Sequence, residues 1–452
     1  MAVETSQVQA AAAAQPEEFR ASESYRYYVV WFLFVVYVFN FVDRQILTTL
    51  IEPIKNEFGL HDWQLGALSG TAFALFYTTF GIPIARWADK SNRVNIIAWS
   101  LLIWSSATAV TAFVRNFWQL FAARVVVGIG ESGCSPPALS LISDYFEAKR
   151  RSKALSIYAM GVYGGTFIGL MMGGIVAQIY GWRAAFLIVG IPGIVLALIL
   201  KLTIREPPRG FADGGVHTVK EAPPMMVVVK TLVSKSSFRH LALASGLHAF
   251  VSYGVSAFYN SYLIRSHGFT VAEAGVSLAF IVGIGGLLGT YVGGTYADKL
   301  TQRHQDSRYM LKVPAISNLI SLPFAAAAFM MSYTPLVLAC LFLYICFGTM
   351  YLAPSISATY RLVAPRERAL ATALLFLVLN FIGIGIGPIL TGFISHTIGN
   401  NLVDSGIPAA QASADGLRYA LSIIVFTFAW STFHYYRAMR TLRQEELPAP
   451  AY

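Results

Sequence analysis

Four ionisable residues stand where the surrounding sequence is almost wholly apolar. Asp43 and Arg44 interrupt the run VVYVFNFVDRQIL, and Arg124 and Glu131 lie in AARVVVGIGES. A charge at the centre of a hydrocarbon layer costs about 3 kcal/mol or more, so each needs a partner, a wet cavity or a function. Burial favours the neutral form of a carboxylic acid, and an adjacent guanidinium favours the ion. A carboxylate beside an arginine can therefore trade its proton as the conformation changes, which couples protonation to shape. The bland alternative is a fixed network tying two helices together, although buried permanent pairs are poor stabilisers. Arg124 and Glu131 are seven residues apart, two turns on one helical face, with backbones about 10 Å apart along the axis. Asp43 and Arg44 differ by about 100° around their helix, so one faces a cavity and the other a neighbouring helix. The spacing leaves open which is which.

Those residues must be positioned by membrane helices. Of 452 residues, 12% are charged and 56% apolar, with a mean hydropathy of +0.57. A soluble domain carries about 25% charged residues, so this composition excludes an ordinary soluble enzyme, a nucleic-acid binder and a disordered protein. The three cysteines, Cys134, Cys340 and Cys346, are an odd set in apolar runs and suggest neither a disulfide framework nor a metal site. Residues 1–24 read as a disordered cytoplasmic tail, with no basic segment leading a signal peptide. Beyond it, twelve runs are long enough to cross about 30 Å of hydrocarbon. They are 27–50, 63–85, 94–114, 117–141, 153–180, 183–203, 239–263, 272–297, 311–331, 335–360, 369–396 and 418–436. Asp43 and Arg124 both fall roughly 10 Å below the outer ends of spans one and four, and can pair if those spans are neighbours.

Basic residues give the orientation. With both termini cytoplasmic, 26 of the 33 Lys and Arg lie on the cytoplasmic side. Five (Lys55, Arg115, Arg183, Arg265 and Arg418) lie outside, and Arg44 and Arg124 are embedded. The net charge of +10 is then mainly a label of the cytoplasmic face, where anionic lipid attracts it. The Pro- and Gly-rich stretch 204–238 divides the spans six and six, as a linker between bundles 25–203 and 239–440, with a tail over 441–452. Within the linker, Met225, Val228, Val229, Leu232 and Val233 recur with helical period. They suit either a short helix on the inner membrane surface or a mobile connection.

The halves repeat. Gly59, Gly66 and Ala88-Asp89-Lys90 return 209 positions later as Gly268, Gly275 and Ala297-Asp298-Lys299. Gly165, Gly169 and Gly174 return after 218 positions as Gly383, Gly387 and Gly392. Such small-residue spacings permit close helix approach. Two similar bundles around a cavity are the plan of an alternating-access transporter. The fold class expected is all-α integral membrane, with twelve helices in two pseudo-symmetric six-helix bundles.

Several motifs now carry a resemblance. Ala85-Arg86-Trp87-Ala88-Asp89-Lys90-Ser91-Asn92-Arg93 resembles the signature loop of the major facilitator superfamily, with Ala for its usual first Gly and Asn near the second. Gly294-Thr295-Tyr296-Ala297-Asp298-Lys299 is a degraded second copy. Gly165-x3-Gly169-x3-Gly173-Gly174 resembles that superfamily's antiporter motif, with Leu170 where Pro is usual; span eleven keeps Pro388. Val42-Asp43-Arg44-Gln45, Gly130-Glu131-Ser132-Gly133-Cys134-Ser135-Pro136, Arg205-Glu206-Pro207-Pro208-Arg209 and Arg265-Ser266-His267-Gly268 resemble the Spinster-like branch.

The resemblance implies proton coupling at Asp43 and Glu131, with Arg44 and Arg124 as charge partners or contacts for a substrate head group. Asp89, Arg93, Asp144 and Arg151, with Asp298 in the repeat, form a cytoplasmic charge cluster that suits a gate, with Asp89 facing the N-terminus of span eleven when shut. The basic members also simply follow the charge bias of that face. Cavity candidates on spans one, seven and ten are Tyr37, Asn40, His248, Tyr253 and Tyr344. Charges confined to one half suggest an amphipathic substrate, polar head toward the arginines and tail against the apolar half. The branch implies a lysophospholipid or sphingolipid type, moved by a proton gradient with no cofactor. Two rivals remain: a drug or organic-anion/proton antiporter, and a non-transporting pH sensor or receptor on a transporter scaffold. No nucleophile–base pair or phosphate-binding loop suggests an enzyme. The expected partners are the substrate, membrane lipid and protons, with no nucleic acid, for a monomer in the inner (plasma) membrane if the source is bacterial.

Overall fold

A computed structural model describes residues 21–209, 211–213, 225–364 and 367–447. Among them, eleven helices are long and apolar enough to cross a membrane. A twelfth span is a pair, Ser236–Ser256 and Tyr259–His267, bent by 45°. The order follows the twelve expected runs. Span one is Glu23–Phe58, span two Asp62–Ala88, span three Arg93–Thr111, span four Phe117–Tyr145, span five Lys149–Tyr180 and span six Trp182–Thr203. The bent pair is span seven. Spans eight to twelve are Val271–His304, Arg308–Met330, Thr334–Arg361, Leu370–Asp404 and Ala409–Glu445.

Local signals end these helices. The side chains of Ser22, Asn92, Asn116 and Thr270 accept backbone N–H groups in the first turn of spans one, three, four and eight. Gly59 and Gly268, matched in the repeat, close spans one and seven in the left-handed conformation with φ of 64° and 68°, where a Cβ is penalised. Span twelve begins at Ala409 and continues to Glu445, longer at both ends than the apolar run alone indicates. Its last residue explains the extension. The Glu445 carboxylate accepts the backbone N–H groups of Ser236 and Ser237, 2.9 and 2.8 Å away, and so caps span seven.

Glu23 pairs with Arg150, and Glu445 meets Ser236, so both described chain ends lie on the face that carries the linker. That face is called the terminal face below, and the opposite one the distal face. One apolar core includes Ile46, Leu47 and Phe186 together with Tyr262, Leu278 and Phe329, uniting both halves toward the distal face. Toward the terminal face the core splits into two, one in each half. In the linker, Met225–Ser234 is helical. Val228 and Leu232 join the C-terminal core, while Met225, Met226, Val227 and Val233 stay exposed. The segment is thus packed on the C-terminal half by one face.

The halves meet at two crossings built from repeated glycines. A Cβ on Gly66 in span two would lie 2.1 Å from the Pro388 carbonyl oxygen of span eleven. Its repeat mate Gly275 in span eight would place one 2.5 Å from the Leu170 carbonyl oxygen of span five. Leu170 and Pro388 are themselves repeat positions, so the seam follows the internal two-fold. The crossings differ in one respect. Spans two and eleven both widen into π-helical turns, at Ala67–Thr71 and Phe381–Ile386, where the Thr71 hydroxyl donates to the Gly385 carbonyl at 2.7 Å.

Gly66→Ala is expected to wedge the distal seam and destabilise this conformation by about 1–3 kcal/mol. Gly164→Ala, whose Cβ meets Val38 at an ordinary 3.6 Å, is expected to be tolerated. Thermal unfolding and cysteine cross-linking across the distal face measure the contrast.

Candidate functional site

Spans one to four bring the four embedded charges together, and they pair crosswise. Asp43 is buried, with Arg124 Nη1 3.6 Å from its Oδ1, and accepts a hydrogen bond from the Thr108 hydroxyl of span three. Arg44 donates from Nε to Glu131 Oε2 at 2.6 Å. Each carboxylate on one span thus holds the arginine of the other. The Arg44 side chain is 21% exposed while that of Glu131 is fully buried. Asp43 therefore faces into its own bundle and Arg44 toward the space between the halves, which settles the point left open by their spacing.

Aromatic rings complete the setting. The Arg44 guanidinium carbon lies 4.9, 4.7 and 4.9 Å from the ring centres of Phe41, Phe73 and Tyr77. Arg124 lies 5.0 Å from the same Phe73 ring, which sits between two cations. Buried Asn40 lies beside Glu131. Three buried atoms in this group have no hydrogen bond of ordinary geometry: Glu131 Oε1, Arg124 Nε and Asn40 Oδ1. Unmade bonds in a low-dielectric site are costly, and they leave the group ready to accept a proton, a water or a ligand atom. Thr108 has a further property. Its single hydroxyl proton has two acceptors in reach, Asp43 and the Trp104 carbonyl at 2.9 Å, and can serve only one at a time.

The other expected residues are distributed differently. Tyr37 is half-buried, stacked on Tyr158 at 4.3 Å and edge-on to Phe41. Tyr253 is 38% exposed and within electrostatic reach of Arg44, so it faces the N-terminal half. His248 and Tyr344 depart from the cavity expectation and pack inside the C-terminal bundle. His248 Nδ1 is 2.7 Å from Asn318 Oδ1, and its ring stacks on Tyr351 at 3.6 Å. Tyr344 is buried against Phe329 and Phe428.

The gate candidates also separate. Arg93 is fully buried and donates to Glu206 Oε1 at 2.6 Å, Ser140 Oγ at 2.9 Å and the Asp144 carboxylate. Arg209 donates to the Ala88 and Ser91 carbonyls at 2.6 and 3.0 Å. The segment Arg205–Arg209 is thus a strap beneath the N-terminal half, and Arg93 with Asp144 belongs to it rather than reaching across. Arg151 Nε donates to the Phe146 carbonyl at 3.2 Å. Asp298 is exposed on span eight, and the Asp89 side chain lies outside the described residues.

The sequence missed a second charge cluster. At the distal face, Arg265 of span seven grips Glu52 of span one in a fork, both contacts at 2.8 Å. It also holds Asp62 of span two at 2.8 and 3.0 Å. Lys55 Nζ and the Ser395 hydroxyl complete the Asp62 shell at 2.8 and 2.6 Å. Among the described residues, ion pairs joining the halves occur only here. Arg265 and Lys55 were counted as loop charges, but Glu52 and Asp62 flanking the first loop were the signal available.

Twelve spans in two halves, sharing a distal core and splitting on the terminal side, define a multi-pass membrane transporter. Residues 33–311 match the family model described as Major Facilitator Superfamily. The chain is 33% identical to an MFS-type efflux pump of Mycolicibacterium smegmatis over 82% of its own length and 84% of that protein. It is 25% identical to the sphingosine-1-phosphate transporter SPNS2 of Danio rerio, over 82% of this chain and 76% of that one. Among solved structures, a bacterial homolog of the human lysosomal transporter Spinster, in an inward-facing and unoccupied conformation, superposes with a TM-score of 0.89 at 33% identity. That match covers 95% of this chain and 100% of the other. The chain belongs to the Major Facilitator Superfamily, in its Spinster-like branch, and is a transporter rather than an enzyme.

Replacing Arg93 with Ala removes the buried guanidinium that Asp144 and Glu206 share and is expected to destabilise the N-terminal half by about 3 kcal/mol. A lowered unfolding temperature in detergent, with Asp298→Asn unchanged as an exposed control, is the measurement.

Proposed function

We propose that the protein is a proton-coupled secondary transporter that moves an amphipathic, lipid-like substrate of the lysophospholipid or sphingolipid type by alternating access. The observation that carries this reading is the crossed quartet: two carboxylates and two arginines, incompletely hydrogen-bonded, with only Arg44 turned toward the space between the halves. A proton on Glu131 frees the Arg44 guanidinium, which can then take an anionic head group. A proton on Asp43 reverses its bond with Thr108, whose hydroxyl turns to the Trp104 carbonyl. The apolar chain of the substrate lies against the C-terminal half, with Tyr253 near the head group. The name of the Danio rerio relative, a sphingosine-1-phosphate transporter, supports this substrate class.

The same reading puts both termini and the linker in the cytoplasm, which the 26 basic residues of that face support. The terminal face then opens inward and the distal face is the closed outer side. Asp89 acts as an inner latch in the opposite conformation, and the protein works as a monomer on the proton gradient, with no cofactor. The efflux-pump name of the 33% identical relative favours a second reading, a drug or organic-anion/proton antiporter.

The test is uptake of a fluorescent lysophospholipid by proteoliposomes with and without a pH gradient. Gradient-driven flux is expected from the native protein, and none above protein-free vesicles from Asp43→Asn or Glu131→Gln. Full coupled transport by both variants would overturn the proton role, and competition only by hydrophilic anions would favour the antiporter reading. A binding-only pH sensor would give no net flux at all. Arg44→Lys, which keeps the charge but loses the planar fork, should raise KM more than it lowers kcat.

A further inference from the structure

The distal seam carries two histidines to which the quartet assigns nothing. His61 stands before span two and His396 is on span eleven, so they belong to opposite halves. Their rings touch, with centres 4.5 Å apart and planes inclined at 44°. His61 is exposed and His396 partly so, within reach of water from the distal face.

Their surroundings bias the response to a proton. His396 is within electrostatic reach of Lys55 from span one and Asp62 from span two, and Asp62 is bonded in turn to Ser395 of span eleven and to Arg265 of span seven, which grips Glu52. The Asn400 amide nitrogen lies 3.2 Å from His396 Nε2 and donates to it only while that nitrogen is bare. Arg265 and Lys55 balance Glu52 and Asp62, so the cluster is neutral when both imidazoles are neutral. Asp62 is already saturated. Its Oδ1 accepts from Lys55 and Arg265, and its Oδ2 from Arg265 and Ser395, which fills the lone pairs of a carboxylate. An imidazolium finds no free lone pair on Asp62, the carboxylate within its reach, unless a seam bond breaks. A second proton puts two like charges against each other across the seam, a few residues from the Gly66–Pro388 crossing.

We propose that His61 and His396 form a second proton-binding site, separate from Asp43 and Glu131, whose protonation from the outer compartment loosens the Arg265 clasp and opens the distal seam. The site gives the outer gate its own response to the gradient, so that acid on the outside favours the conformation in which outside protons reach the quartet. The proposal rests on the orientation given under the proposed function, and it is read without transport.

The experiment places spin labels at Asn56→Cys and Ser405→Cys, exposed distal positions in opposite halves, in a Cys346→Ala background. Their separation in nanodiscs is followed from about pH 8 to about pH 5, the span over which histidine titrates. The native pair should lengthen on acidification. His61→Gln/His396→Gln should move the midpoint down by about one pH unit or more, a tenfold change in proton concentration. His61→Arg/His396→Arg, permanently charged, should open the seam at neutral pH. Asp43→Asn/Glu131→Gln should keep the histidine-dependent opening. The proposal fails if the glutamine pair opens with the native midpoint, if the native seam stays shut at acid pH, if the arginine pair stays closed, or if opening vanishes with the buried carboxylates. Loss of gradient-driven flux in Asp43→Asn and Glu131→Gln bears only on the quartet, so the two readings fail separately.

Discussion

A charge inside a bilayer has no water to turn to, so it must find its counter-charge on another helix. That constraint organises this protein. Each buried arginine reaches to a different span, and the three clusters they form differ in how completely their bonds are made. Arg93 is closed on all sides by Glu206, Asp144, Ser140 and the Pro207 carbonyl. Arg265 is likewise filled, by both oxygens of Glu52 and both of Asp62. Of these three clusters, among the described residues, the central quartet alone keeps bare polar atoms. Saturated clusters are costly to open and hold elements in place. An unsaturated one lies closer in energy to its alternatives, because a new partner gains bonds that the present arrangement does not make. The degree of saturation thus separates a strap and a clasp from a switch.

The position of each cluster follows the same division. The Arg93 strap lies within one half, where it makes spans two, three, four and six move as a body. The Arg265 clasp lies between halves, at the end where their cores are continuous. It is therefore bonded in this conformation and must be released in another. Four charges in so small a volume are tolerated because they cancel, and a protonation that upsets the cancellation acts on the seam alone.

Much of this was legible in the sequence because the bilayer enforces simple rules. Span number and order followed from apolar length, and the seam glycines from their repeat at fixed offsets. The crossed pairing of Asp43 with Arg124 was reachable from depth alone, since both lie a similar distance from their helix ends. What was not legible depends on rotation about helix axes. His248 and Tyr344 are polar residues on plausible spans, but their faces turn into the C-terminal bundle, and no spacing of single residues reveals that. Arg265, Glu52 and Asp62 were missed for another reason. They sit at helix ends, where a hydropathy boundary assigns them to solvated loops, whereas the glycine-mediated approach of the halves buries them. The apolar run of span twelve, 418–436, starts at Arg418 and stops before Arg437, while the helix continues past both. One donates to the Phe329 carbonyl at the end of span nine, and the other rides on a helix extended by the Glu445 cap.

The repeat also bears on how the halves move. The crossings Gly66–Pro388 and Gly275–Leu170 are two-fold mates, so the backbone bearing is nearly symmetric. The load on it is not. The clasp, the histidine pair and both π-helical turns lie beside spans two and eleven, while the crossing of spans five and eight carries neutral contacts such as Tyr163 with Thr290. In a π turn the backbone hydrogen bonds are already displaced from the α register, so the turn can tighten or shift with little loss. Motion about such a seam should be uneven. The crossing of spans two and eleven changes shape under electrostatic control, and the crossing of spans five and eight serves as the neutral pivot against which it turns.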